Sequence, residues 1–269
     1  MINGLKEVVK FKDLLLLFVY RDVVSIYKQT ILGPIWFVAQ PILTSIVQYV
    51  VFGGIAGISS GEIPYFLFVL AGNTIWSFFS TTMLEVAETF RKNQDVFGKV
   101  YFPRIIIPFS VAISACLKFL IQFILFVIIS LKYSLNSGAI LINMNALLLP
   151  LLMIALILIS LGLGLLITSV TTKYRDFAHL LKFGMTLFMY LTPIVYPTSL
   201  LTDKLPEKFE WIAYLNPLTG ILEAFKHGFL AQKDFEWYAF LWSIVFGIIV
   251  FTLGSIVFNK TSKKVMDII

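Results

Sequence analysis

The stretch ALLLPLLMIALILISLGLGLLITSV, Ala146–Val170, decides what kind of fold this chain can adopt. It is free of charge over more than the roughly 20 residues a helix needs to cross a ~30 Å hydrocarbon layer. Within it Ser160, Gly164 and Thr168 recur every four residues. One helical face is therefore lined by small residues, where another helix can approach closely.

Working outward, five further apolar runs have the same character: Pro34–Gly57, Pro64–Val86, Ile105–Leu131, Phe177–Tyr196 and Tyr238–Phe258. The 269 residues are 59% hydrophobic and only 13% charged, with a mean hydropathy of +0.91. A soluble domain would be about a quarter charged. The expectation is an all-α integral membrane protein, a single domain over residues 1–269 with six transmembrane helices between 34 and 258.

Charge sets the orientation. With the N-terminus in the cytoplasm, fifteen of the 21 Lys and Arg residues fall in inner segments and five in outer ones, with Lys118 inside a span. That is a strong positive-inside bias, and it places both ends, residues 1–30 and 259–269, in the cytoplasm. The net charge of +6 then reflects loop placement rather than nucleic-acid binding. The opening MINGLKEVVKFKDLLLLFV interleaves charges with apolar residues and has no run long enough to span. It reads as an amphipathic helix on the membrane surface, not a secretory leader.

The same orientation puts FRKNQDVFGKVYFPR, Phe90–Arg104, in the cytoplasm. Val86, Phe90 and Phe97 are spaced to share one helical face. Glu88, Arg91, Lys92 and Asp95 populate the rest, Gly98 suits a helix stop and Pro103 the start of the next span. Two readings are open on periodicity alone: a helix presenting aromatics and charges to another protein, or a solvated connection. Lys118, mid-span, needs a partner such as a carboxylate or Gln122, or a wet substrate path. The segment WIAYLNPLTGILEAFKHGFL is too apolar for a free outer loop. It reads as two short helices broken at Asn216–Pro217 and dipping back into the membrane. Aromatics cluster around it, including Tyr196, Trp211, Tyr214 and Phe225, either as an interfacial belt or as flat faces for sugar rings.

Soluble-style chemistry is missing from the sequence. There is no phosphate-binding loop, no H-E-x-x-H, no G-x-S-x-G, and the single cysteine, Cys116, forms no metal spacing. The chain is therefore expected to be a non-enzymatic subunit holding no cofactor or metal. Any nucleotide site belongs on a separate subunit.

Five passages, in order along essentially the whole chain, resemble the membrane subunits of ABC-2 type exporters of lipid-linked polysaccharides. They are RDVVSIYKQTILGPIWFVAQP (Arg21–Pro41), KVYFPR (Lys99–Arg104), KYRD (Lys173–Asp176), TPIVYP (Thr192–Pro197) and NPLTGILEAFKHGFL (Asn216–Leu230). The resemblance implies a bacterial inner-membrane exporter of O-antigen-like, capsule-like or teichoic-acid-like glycans. It implies two copies of the chain, surrounded by membrane lipid, over two ATPase subunits that hold ATP and Mg. It favours docking for the cytoplasmic segment: Glu88, Phe90, Arg91, Lys92, Asp95, Phe97 and Gly98 correspond to a coupling helix, and Phe97→Asp is expected to uncouple hydrolysis from export. The N-terminal segment resembles an interface helix. The outer segment, with Tyr196, Trp211, Tyr214, Asn216, Pro217 and Phe225, resembles re-entrant gate helices. For a polyprenyl-diphosphate-linked glycan, Lys28, Arg104, Lys118, Lys173 and Arg175 are the expected substrate path, with Lys28, Arg104, Lys173 and Arg175, near the inner face, attracting the diphosphate. A permease for a drug or another lipid, and an intramembrane enzyme acting on polyprenyl-linked sugars, remain the alternatives.

Overall fold

The computed structural model describes residues 9–28, 33, 35–97, 102–138, 141–174, 176–204, 206–232 and 235–266, and no strand occurs among them. Helix α1 (Lys12–Lys28) is the N-terminal amphipathic helix. Helix α2 (Ile35–Gln48) continues into a π-helical turn, Tyr49–Ile55. Helix α3 (Tyr65–Ala87) is followed by two four-residue helices, α4 (Thr89–Lys92) and α5 (Gln94–Phe97). Helix α6 (Ile106–Ser137), a 3-10 turn (Met144–Leu148) and α7 (Leu149–Lys173) come next. Helix α8 (Phe177–Leu191), α9 (Ser199–Thr202), a 3-10 segment (Glu207–Tyr214), α10 (Pro217–Leu230) and α11 (Trp237–Met266) complete the chain.

Helix α3 is the centre of the bundle, with 72% of its apolar window buried against 17% for α2. It packs against α7, α6, α2 and α10. The small-residue face of α7 makes this approach possible: a side chain on Gly164 would collide with Val86 and the Met83 carbonyl of α3. On the opposite side, Gly162 lies directly against the backbone of Val250 and Phe251 in α11. The Thr168 and Thr171 hydroxyls of α7 donate to the Val86 and Ala87 carbonyls. Those carbonyls sit at the end of α3, where no further turn exists to satisfy them. Here the spacing read as a packing face is one.

Among the described residues, five helical segments are long and apolar enough to cross a membrane: Ile35–Ile55, Tyr65–Ala87, Ile106–Ser137, Met144–Lys173 and Trp237–Lys263. The sixth expected span differs. Phe177–Tyr196 is a 15-residue helix ending at Leu191, about 22 Å long at ~1.5 Å per residue, short of the ~30 Å core. Pro193 stops it, because proline can neither donate to the preceding turn nor clear its carbonyl. The chain then turns at Ile194, packed on Gly72 of α3, and Val195, whose carbonyl accepts the Tyr65 hydroxyl.

At the other end of the bundle, α11 runs on past the expected limit at Phe258, so most of the expected tail is its last two turns. The expected break at Asn216–Pro217 is present: Pro217 opens α10, and the Asn216 side chain accepts the Leu218 N–H at 3.0 Å. Helix α10 is buried along nearly its whole length between α11, α3 and α7.

Candidate functional site

Where α3 ends, Glu88 leaves helical geometry (φ −96°, ψ 10°) and begins the expected coupling segment. Its carboxylate is buried, with the Arg91 guanidinium at 2.7 Å, the Lys92 ammonium at 3.2 Å and the Lys182 ammonium at 3.7 Å. Burial alone would raise the Glu88 carboxyl, but its hydrogen bonds and charge interactions with Arg91 and Lys92 outweigh that and hold it below the usual 4.5. Asn93 closes α4 by donating to the Thr89 carbonyl at 3.0 Å, and accepts Arg21 of α1 at 3.1 Å. The short segment is thus fixed at both ends.

The aromatic residues of this segment face inward. Phe90 and Phe97 are 3% and 9% exposed, and they belong to a chain of rings. Centroids are 5.5 Å apart for Phe18–Phe102, 5.7 Å for Phe102–Phe97, 5.5 Å for Phe97–Phe90 and 4.9 Å for Phe90–Phe258. The expectation that the segment presents aromatics to a partner is corrected: the shared face is turned onto α1 and α11, where burying two phenyl rings is favourable. What remains outward is Arg91, Lys92, Gln94 and Asp95. Gly98 lies outside the described residues.

Among the described residues of the expected substrate path, Arg104, Lys118 and Lys173 each have separate partners. Arg104 lies over the Phe97 ring at 5.3 Å and donates to the Ser262 carbonyl of α11. Lys173 is 5.0 Å from the Tyr174 ring. Arg175 and the Lys28 side chain fall outside the described residues. Lys118 pairs with the Glu85 carboxylate at 3.4 Å, the first of the two partners expected, while the Gln122 amide donates to the Ser77 hydroxyl at 3.4 Å. The level of this pair follows from α1, where Asp22 accepts the Ser110 hydroxyl of α6 at 3.3 Å. Lys118 lies two turns beyond Ser110, about 12 Å along the helix at ~1.5 Å per residue.

Above that pair, two adjoining cavities of about 270 and 170 Å³ share Gln40, Ser77 and Thr81 in their walls. Helix α2 contributes Phe37, Gln40 and Thr44; α3 contributes Asn73, Trp76, Ser77, Ser80 and Thr81; α6 contributes Lys118, Phe119 and Gln122. Reading the sequence by mean hydropathy passes over this wall. The signal was available on α3, where Asn73, Ser77, Ser80 and Thr81 follow the i, i+4, i+7, i+8 spacing of one helical face.

Toward the outer end, the expected gate residues have different surroundings. Tyr196 donates to the Tyr190 carbonyl at 2.9 Å. Tyr214 sits edge-on to Tyr238 at 5.2 Å, and Trp211 is exposed. Asn216 donates to the Thr192 hydroxyl at 2.9 Å, tying the start of α10 to the end of α8. Phe225 is fully buried between Phe126 and Phe229, so it is core and offers no face to a sugar. A residue the sequence reading left among the outer loop charges is central here: Lys226. Its ammonium is buried, donates to the Pro193 carbonyl at 2.9 Å and lies 3.4 Å from the Phe68 centroid. It satisfies a carbonyl freed where α8 breaks, a place that favours a cation.

Comparison with known proteins identifies relatives of the chain. The family described as ABC-2 type transporter matches residues 13–230. An O-antigen export system permease protein RfbA of Klebsiella pneumoniae is 27% identical over 259 residues, covering 96% of this chain and 95% of that protein. The protein of the same name from Myxococcus xanthus is 24% identical over 233 residues, covering 87% and 86%. With a multi-pass helical bundle and a family match over more than half its length, the chain belongs to the ABC-2 type transporter family.

Proposed function

We propose that this chain is the membrane-spanning subunit of an ATP-driven exporter that moves a polyprenyl-diphosphate-linked polysaccharide across the cytoplasmic membrane. The observation that carries it is the alignment, nearly end to end, with a permease named for O-antigen export. In this reading two copies form the pathway, two separate ATPase subunits hold ATP and Mg, and both termini are cytoplasmic. Helix α8 with the turn at Pro193–Tyr196 completes a sixth crossing.

The exposed charged face of the expected coupling segment supports this reading. A partner closing beneath the membrane meets Arg91, Lys92, Gln94 and Asp95, whose backbone is braced on α1 and α11 through Phe90 and Phe97. Displacement of that surface carries the inner ends of both helices with it. At the outer end, Asn216 and Lys226 bind the break after α8 to α10, so these elements move together as a gate.

Purifying the tagged chain from its native membrane in mild detergent tests this. An ATP-hydrolysing subunit should co-purify in equal amount, and polyprenyl-diphosphate-linked glycan should stimulate its hydrolysis. Stimulation by amphiphilic drugs with no response to the glycan would overturn the reading.

A further inference from the structure

We propose that the groove between α2, α3 and α6 is a saccharide subsite: it receives a neutral, polyhydroxylated ring of the transported glycan and not the anionic diphosphate. The inference rests on the exporter reading above and adds where, and by what chemistry, the cargo touches the protein.

The first support is the state of the polar groups. Asn73 is already used, donating to Ser45 and to Gln48 at 2.8 Å each. Gln40, Thr44 and Thr81 line the cavities and make no hydrogen bond among the described residues. In helices that cross a membrane, side chains with this chemistry have no reason to face hydrocarbon. They fit a groove filled by water or by a ligand rich in hydroxyl groups.

Charge gives the second support. Among the described residues the cavity walls hold one ionic group, Lys118, and it pairs with Glu85 at 3.4 Å. A diphosphate calls for uncompensated cations with charge-assisted hydrogen bonds, and none is offered here. The remaining lining consists of hydroxyls and amides, the rings of Phe37, Trp76, Phe78 and Phe119, and the apolar Pro41, Ala115 and Met189. A pyranose ring has an apolar C–H face and a rim of hydroxyls, which is the complement of that wall. The cavities are small, about 270 and 170 Å³, at or below the lower end of ordinary small-molecule sites. They suit a ring passing through with weak hold better than a tightly kept ligand.

Cysteine protection in the complex with its ATPase tests the proposal. Cys116 is the chain's single cysteine; it is replaced by Ala, and Ser77→Cys and Thr81→Cys are introduced separately. Co-purification with the ATPase reports that each variant assembles. A small charged methanethiosulfonate reagent should label both positions. Polyprenyl-diphosphate-linked glycan extracted from the native cell should slow labelling several-fold, and bare polyprenyl diphosphate should not. Failure of both positions to label would mean a dry groove and overturn the proposal. Equal protection by bare carrier would assign the site to the headgroup and overturn it too. Labelling unchanged by glycan, in a complex whose ATPase the glycan stimulates, would overturn the subsite while leaving the exporter. No protection and no stimulation by any glycan would overturn both.

Discussion

Phe90 stacks on Phe258 with ring centroids 4.9 Å apart and planes 13° from parallel. One ring stands at the first turn after α3 and the other near the C-terminal end of α11, so the segment expected to meet an ATPase is not a free lever. It is clamped to the last helix, and through Phe97, Phe102 and Phe18 to the first.

Phe90→Ala should therefore act on stability before it acts on coupling. Removing a buried phenyl ring costs about 3–5 kcal/mol, read as a lower melting temperature of the purified chain. Phe97→Asp would likewise place a carboxylate at a buried site and report misfolding rather than uncoupling. Gln94→Ala and Asp95→Ala, at exposed positions, should leave melting nearly unchanged while weakening co-purification of the ATPase.

Acidification should destabilise the inner end through Glu88. Its carboxyl is held below the usual 4.5 by Arg91 and Lys92 acting against burial. Its contribution is complete above the unfolded value and is lost as pH falls through the lower folded one. Melting temperature followed downward from pH 7 should drop more steeply below about 4.5 in the parent than in Glu88→Gln. Identical slopes would remove Glu88 from the account.

Glu85 and Lys118 should behave as a pair. Lys118→Met alone leaves a carboxylate facing the groove without its partner and should cost about 1–3 kcal/mol, less than for a fully buried pair. Adding Glu85→Gln should recover much of that loss, and a thermal double-mutant cycle measures the coupling. Additive losses would show that the two groups are independent.

The seam between α7 and α11 should be intolerant at one glycine. Gly162→Ala would push a methyl into the Phe251 backbone, at a cost of about 1–3 kcal/mol for overpacking. Gly184→Ala in α8 meets nothing within 4 Å and should be neutral or stabilising, since Ala is the better helix former. Melting temperatures of the two variants separate close packing from general glycine loss.

The long spans and the small-residue face of α7 were legible because uninterrupted apolar runs and a four-residue repeat state them directly. Other features were not. The spacing of Phe90 and Phe97 says that they share a face, but an amphipathic turn can bury that face on its own chain as readily as on a partner. Here the ring of Phe258, more than 160 residues away in sequence, decides it. Lys226 counts with the outer charges although its segment reads as dipping back into the membrane, because sequence does not show which carbonyl is freed there for the ammonium to bind, the one at Pro193. The length of α8 was overread because the apolar character of Ile194 and Val195 continues past a proline that ends the helix. The polar wall on α3 hid among residues that hydropathy scores as nearly neutral.

Depleting the chain in its native cell, with polyprenyl-linked glycans followed by mass spectrometry, tests the central claim most directly. An exporter subunit predicts that finished glycan accumulates on its carrier while the same polymer disappears from the cell surface. Accumulation of unfinished precursors, or no change in either pool, would contradict it.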